Sequence, residues 1–190
     1  ERLVGSEMCI RDRDNGPLRF TAKLVYNPLV IKGDSNVVET RVISLDQGSQ
    51  LNKTVISYTD LKEVTPIVAG IVIHKENPTG YSFDSNAGYI AYADSTQNPR
   101  NNNGVIYVGA VFPASVNAAK AQLFPEAERK EHGGALGHVL GISDYEPGTE
   151  YVYYWGSGWS KYGFAADTEW TKYLENFAQQ VRNPLTVTVK

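Results

Sequence analysis

The sequence predicts a mainly β protein: an antiparallel β-sandwich with one amphipathic helix near its C-terminus. Short segments rich in β-branched and aromatic residues recur along most of its 190 residues, and turn-forming Gly, Pro, Asn and Asp separate them. Helical periodicity is clear in one late segment. The strands do not alternate with helices in the way that a parallel α/β sheet requires.

The composition narrows the class of protein further. One domain is predicted over residues 14–190, since a chain of this length can bury one sizeable core. A net charge of −3 disfavours nucleic acid as a partner, and no apolar run reaches the ~20 residues of a membrane span. No phosphate-binding loop, dinucleotide fingerprint or paired metal-ligand motif is present, so neither a cofactor nor a metal site is predicted.

Residues 1–13 (ERLVGSEMCIRDR) differ from the rest of the chain. They hold the only Met and the only Cys, side by side, and the segment from Met8 to Arg13 resembles a translated sequencing adapter. We therefore predict a non-native leader without regular structure; a genuine disordered leader is the alternative. Without Cys9, the chain can form no disulfide and no thiolate nucleophile.

The strands are predicted in chain order from alternating or clustered apolar residues. Residues 18–26, 40–45 and 51–58 have the pattern of half-buried strands. Residues 65–74 are apolar on both faces, which predicts a central strand covered on both sides. Residues 88–94 and 104–112 are predicted to pair antiparallel, and a short helix is predicted within the Ala-containing residues 113–124.

The predicted amphipathic helix begins near Asp167, a suitable N-cap, and ends near Arg182, with Pro184 beyond it. A last strand is predicted at residues 185–189. The apolar stripe on this helix recurs at helical spacing and consists of Trp170, Tyr173, Leu174, Phe177, Ala178 and Val181.

The segment from Glu131 to Phe164 carries the candidate functional residues. It combines Trp155 and Trp159 with five tyrosines and several glycines, so flat aromatic faces lie beside positions without side chains. Such faces suit the stacking of sugar rings, and both tryptophans are predicted to bind substrate. A tyrosine-rich core strand would explain the same composition.

Acid–base chemistry is the kind of catalysis that the remaining residues permit. His74, His138 and Tyr154 are the candidate proton carriers, because a histidine titrates near neutrality and a tyrosine can do so beside a cation. Lys161 and Arg41 could hold a carboxylate or sulfate. Together these residues could abstract a proton next to a uronate carboxyl group and expel the β-substituent. His74 could instead belong to a solvated strand end, and His138 could be a hydrogen-bonded structural residue.

Several stretches carry a family resemblance: LDQGSQLNKT, VAGIVIH, HGGALGHVLG, YYWGSGWSKYGF and WTKYLENFAQQVRNPLTVTV. They resemble the DUF4861 family of bacterial proteins encoded among polysaccharide-degradation genes. The resemblance runs from about residue 17 to the C-terminus, and its most specific block is Trp155 to Lys161. It implies the C-terminal half of a longer periplasmic or secreted protein, half of a fold similar to the galactose-mutarotase supersandwich, and a dehydratase activity on ulvan-type oligosaccharides.

Three functions remain open at this point. The leading hypothesis is a lyase or dehydratase acting on uronic-acid-containing oligosaccharides of cell-wall polysaccharides. The alternatives are a non-catalytic carbohydrate-binding module, which needs only the aromatic platform, and a sugar epimerase or mutarotase. An oligosaccharide is the expected partner in all three; the oligomeric state is not predicted.

Overall fold

A computed structural model describes residues 8–95, 99–114, 116–186 and 188. The chain is mainly β, with antiparallel sheets and one C-terminal α-helix, as expected of the predicted β-sandwich. In chain order, the elements are β1 Met8–Asn15, β2 Arg19–Tyr26, β3 Leu29–Ile31, β4 Asp34–Asp46, β5 Leu51–Thr59, β6 Thr65–Ile73, β7 Tyr81–Asp84, β8 Tyr89–Ser95, β9 Val105–Val111, β10 Ala118–Leu123, β11 Gly137–Tyr145, β12 Tyr151–Trp159 and α1 Asp167–Arg182. A 3-10 turn spans Pro99–Asn101.

The chain divides into two compact units. The first contains Glu1–Ile67 and Asp144–Trp155, and the second contains Val68–Ser143 and Gly156–Lys190. Strands β6, β11 and β12 each run across a boundary between these ranges. That residues 14–190 form a single domain stays a prediction.

The sheet of the first unit has the strand order β1, β2, β4, β5, followed by the start of β12. Strand β3 pairs with β4 outside this order. The core of this unit contains Val37, Leu61 and Tyr145. The β4–β5 register places Glu39 opposite Tyr58 and Arg41 opposite Ile56. Since facing residues of antiparallel strands share a face, these four side chains lie on one side of the sheet.

Strand β1 contradicts part of the leader prediction. It pairs with β2 from Met8 opposite Tyr26 to Asn15 opposite Phe20. The expectation that residues 1–13 lack regular structure is therefore wrong for residues 8–13, because backbone pairing needs only an available edge and not a particular side-chain pattern. Residues 1–7 lie outside the described residues, and the adapter origin of the segment stays a prediction.

In the second unit, the end of β12 is followed by β9, β8 and β7, and a smaller sheet has the order β10, β11, β6. The predicted pair is confirmed as β8 and β9, with Tyr89 opposite Val111 and Ser95 opposite Val105. The short helix predicted within residues 113–124 is wrong. Residues 118–123 form β10 instead, because pairing along β11 outweighs the helix preference of alanine.

Strand β6 occupies the edge of the smaller sheet, so its prediction as a central strand is wrong. Val68 and Val72 are exposed, whereas Ile67, Ala69 and Ile71 on the alternate face are half-buried. Scattered apolar side chains are common on protein surfaces, so a second apolar face did not require a second covering layer.

Helix α1 is confirmed, with its N-cap one residue earlier than predicted. Ala166 takes the cap position, and the Glu169 carboxylate accepts a hydrogen bond of 2.7 Å from the Ala165 amide. The stripe also agrees with the prediction: Trp170, Leu174 and Ala178 are buried. No helix among the described residues is long and apolar enough to cross a membrane.

After α1, the predicted last strand is not formed at Leu185, Thr186 or Thr188. Val187 and Val189 lie outside the described residues.

Candidate functional site

His74 follows β6 directly and forms a pair with Asp94 of β8 in the second unit. Its Nδ1 atom lies 3.0 and 3.1 Å from the two carboxylate oxygens of Asp94. The His74 side chain is 46% exposed. An ionised carboxylate can only accept, so in neutral His74 the proton belongs on Nδ1 and the lone pair on Nε2. The pair can therefore present a base to a substrate in solution.

The backbone of His74 is held by Tyr92, a buried residue of β8. The Tyr92 hydroxyl accepts a hydrogen bond of 3.0 Å from the His74 amide and lies 3.2 and 3.0 Å from the carbonyl oxygens of His74 and Asn77. Asn77 Nδ2 donates to the Ala93 carbonyl at 2.8 Å. These bonds attach the turn after β6 to β8, so the His74 imidazole is positioned before any ligand arrives.

His138 has different surroundings. The half-buried His138 ring meets the Phe124 ring edge-on, with centroids 5.1 Å apart, and His132 stacks on the same Phe124 ring at 3.9 Å. Burial, followed by the nearby His132, lowers the pKa of His138. No residue in these described contacts also contacts His74, so the structure gives the two predicted proton carriers separate environments.

Tyr154, the third predicted proton carrier, belongs to the first unit. Burial and then the Asp46 carboxylate raise the pKa of its hydroxyl. A tyrosine shifted in this direction stays protonated at neutral pH, so it can donate a proton but is a poor base.

Arg41 is engaged with a carboxylate of the first unit. Its Nε donates to Glu39, which is only 7% exposed, and Tyr58 donates to the other Glu39 oxygen at 2.9 Å. The Arg41 guanidinium also lies 5.2 Å from the centre of the Tyr26 ring. Burial and then the Glu39 charge raise the pKa of Tyr58. Arg41 therefore compensates an internal charge, and its contact with a substrate stays a prediction.

The two predicted stacking residues belong to different units. Trp155, in the first, donates from Nε1 to Thr54 Oγ1 at 2.7 Å, and Trp159, in the second, donates to the Asn103 carbonyl at 2.7 Å. Both rings are about two-fifths exposed. A satisfied N–H with an exposed ring is the arrangement that a stacking residue needs.

The turn after Trp159 adds a second exposed ring in the second unit. The Tyr162 amide bonds to the Trp159 carbonyl at 2.9 Å, and the Tyr162 side chain is 76% exposed. Ser160 ties this turn to β9, since its Oγ accepts from the Val105 amide at 2.7 Å. Lys161 is exposed in the same turn.

Two of these residues were missed in the sequence. Asp94 lies at the end of a predicted strand whose other residues are mostly apolar, as in a protein core. Nothing in the spacing of Asp94 from His74 shows that the two strand ends meet. An acidic residue directly after an apolar run was the available signal. Tyr162 lies within the aromatic segment but was not separated from its other tyrosines.

Within the described ranges, no group of three His, Cys, Asp or Glu side chains could hold a metal ion.

The fold and these contacts define a mainly β, antiparallel protein with an exposed histidine–carboxylate pair. The chain belongs to the DUF4861 family, a domain of unknown function whose model matches residues 7–187. Neither a curated protein nor a solved structure matches it. The likeness to the galactose-mutarotase fold stays a prediction.

Proposed function

We propose that this protein is a carbohydrate-active enzyme of cell-wall polysaccharide breakdown, a lyase or dehydratase that acts on uronic-acid-containing oligosaccharides in the periplasm or outside the cell. The His74–Asp94 pair is the observation that supports this proposal. A binding module needs no oriented base, whereas an elimination reaction does.

The proposed reaction begins at His74. The lone pair of Nε2 takes the proton from the carbon next to the uronate carboxyl group. The electrons of that C–H bond form the new carbon–carbon double bond as the bond to the β-oxygen breaks. The leaving oxygen takes up a proton from an acid, which is the role proposed for Tyr154, and Asp94 stabilises the imidazolium that forms on His74. Exchange with water then returns a proton to the acid and removes one from His74.

Acidity at the reacting carbon depends on neutralising the uronate carboxylate. Lys161 is an exposed cation in the same unit as His74, and it is the proposed partner of this carboxylate. Binding of a carboxylate or sulfate by Arg41 stays a prediction. Trp155 and Trp159 are the proposed stacking residues for the sugar rings. Tyr154 is retained as a proton donor, which agrees with the direction of its pKa shift.

The test uses oligosaccharides that contain uronic acid and follows the absorbance of a new double bond. His74→Ala should bind the oligosaccharide normally and lose turnover by about 10²–10⁴-fold. His132→Ala is the matched control, since this exposed histidine packs only on Phe124 among the described contacts. If His74→Ala turns over substrate like the wild type, the proposal is wrong; His138→Ala would then identify the alternative base.

A carbohydrate-binding module is the second candidate, and the exposed rings of Trp159 and Tyr162 favour it. In that case Trp159→Ala weakens binding, and the wild type binds the sugar without forming an unsaturated product. An epimerase would likewise form no double bond, but NMR of the recovered sugar would show an inverted centre.

A further inference from the structure

A cavity of about 520 Å³ lies in the second unit, between α1 and the strands β7, β8 and β9. This volume falls within the range of small-molecule sites. Ala91 and Ala93 of β8 and Tyr107 of β9 line it on the sheet side, and Trp170 of α1 lines it on the helix side.

The Asp94 side chain and the cavity-lining residues Ala93 and Tyr107 are on opposite faces of this sheet. Ala93 is opposite Tyr107 in the β8–β9 register, whereas Asp94 is opposite Ile106. Successive residues of a strand point to opposite faces, so the Asp94 side chain that holds His74 points away from Ala93 and Tyr107. Neither His74 nor Asp94 lines the cavity, although Tyr92, which holds the His74 backbone, does.

Tyr107 is the residue that makes this cavity a candidate site. It is only 4% exposed, and its hydroxyl forms no hydrogen bond with any of the described residues. Burial raises the pKa of Tyr107, and the carboxylates of Asp167 and Glu169 raise it further, so the hydroxyl remains a donor. A buried hydroxyl without a partner is unfavourable, and a ligand that accepts its hydrogen bond would remove that cost.

The charged residues of the wall indicate the class of ligand. Asp167 and Glu175 contribute two negative charges and Lys172 one positive charge, so this balance gives the cavity wall a net charge of −1. This balance disfavours a uronate. Carboxylates accept hydrogen bonds from sugar hydroxyls, and the buried Trp170 contributes apolar surface to the helix side of the wall.

From this arrangement we propose that the second unit binds a neutral sugar of one or two rings in this cavity, with the Tyr107 hydroxyl donating to one of its oxygens. This function goes beyond the elimination reaction: the site recognises an uncharged sugar, and its wall does not include the proposed base.

Calorimetric titration of the protein with methyl β-D-glucopyranoside and with cellobiose tests this site, and glucuronate and spermidine serve as charged probes. A neutral probe should bind more tightly than either charged one. Tyr107→Phe should weaken that binding by about 3–10-fold, the effect of one lost hydrogen bond. Glu128→Gln, at an exposed carboxylate that does not line the cavity, should bind like the wild type.

Two further measurements separate this site from the catalytic pair and from a structural role. His74→Ala should bind the neutral probe unchanged, and Tyr107→Phe should not lower the thermal midpoint. The inference is overturned if no neutral probe binds at millimolar concentration, if spermidine or glucuronate binds better, or if Tyr107→Phe leaves affinity unchanged. It is also overturned if Tyr107→Phe destabilises the fold, or if His74→Ala abolishes neutral-sugar binding. The turnover of the His74→Ala variant tests the elimination proposal independently of this site.

Discussion

Leu174 of α1 packs directly on the backbone of Gly109 in β9. A Cβ atom at position 109 would lie 2.6 Å from Leu174 Cδ1 and 3.0 Å from Trp170 Nε1. Leu174 and Trp170 are both buried, so neither side chain can move aside without disturbing its neighbours. The absence of a side chain at position 109 therefore allows the helix to approach this strand.

Gly109→Ala should consequently lower the free energy of unfolding by about 1–3 kcal/mol, the usual cost of overpacking a core. Denaturant titration would measure this loss. Gly16→Ala is the matched control, because the nearest atom to a Cβ there is 3.8 Å away and the replacement should be nearly neutral. Equal effects at both positions would contradict the packing of α1 on β9.

Deleting residues 1–13 should lower the thermal midpoint. The deletion removes most of β1 and its backbone pairing with β2. In a protein of this size, each kcal/mol lost corresponds to about 2–4 °C. Deletion of residues 1–7 alone keeps all of β1 and is the control. An unchanged midpoint after the longer deletion would show that the strand adds nothing to stability, as an adapter-derived leader predicts.

The fold could be predicted where one physical signal was dominant. The alternation in β5 and the stripe of Trp170, Leu174 and Ala178 each predict one buried face, and the structure agrees: Thr54 and Ile56 are buried in β5. Predictions from composition were wrong where the pairing of strands determines the secondary structure or the position of a strand in its sheet. Residues 118–123 became a strand because β11 lies alongside, and β6 became an edge despite two apolar faces.

The candidate site was less predictable, because it depends on contacts between distant segments. His74 was identified from its chemistry, but Asp94 lies 20 residues away in the sequence. Similarly, Arg41 was selected for its charge, although its contact with Glu39 exists only because both project from one face of β4. A sequence shows which groups can titrate and not which groups they meet.

Arg41→Ala should destabilise the protein, because it leaves the buried Glu39 carboxylate without its cation. We expect a loss of about 1–3 kcal/mol in the free energy of unfolding, the cost of an unsatisfied buried polar group. Glu39→Gln should recover part of this loss in the double variant. If Arg41→Ala retains full stability and instead weakens oligosaccharide binding, the residue serves the substrate.

Acidification should destabilise the protein through His138. Burial and His132 lower its pKa in the folded state below the ordinary 6.5, so the unfolded chain takes up the proton more readily. The contribution of His138 to stability is thus complete above pH 6.5 and is lost as the pH falls through its folded pKa. Denaturant titrations across this range should show a shallower decline for His138→Gln. A decline identical to that of the wild type would exclude His138 as its source.

The last prediction concerns the proton on His74. Asp94 accepts from Nδ1 and so keeps the lone pair on Nε2, whereas an amide at position 94 could donate to Nδ1 and shift the proton to Nε2. Asp94→Asn should therefore lower turnover of a uronate oligosaccharide by about 10²–10⁴-fold with little change in its binding. The thermal midpoint should also change little, because this pair is partly exposed to solvent. Glu128→Gln, at an exposed carboxylate outside this pair, is the control for the loss of one charge. NMR of the imidazole nitrogens would show the change of tautomer directly. If the tautomer changes and turnover does not, His74 is not the base.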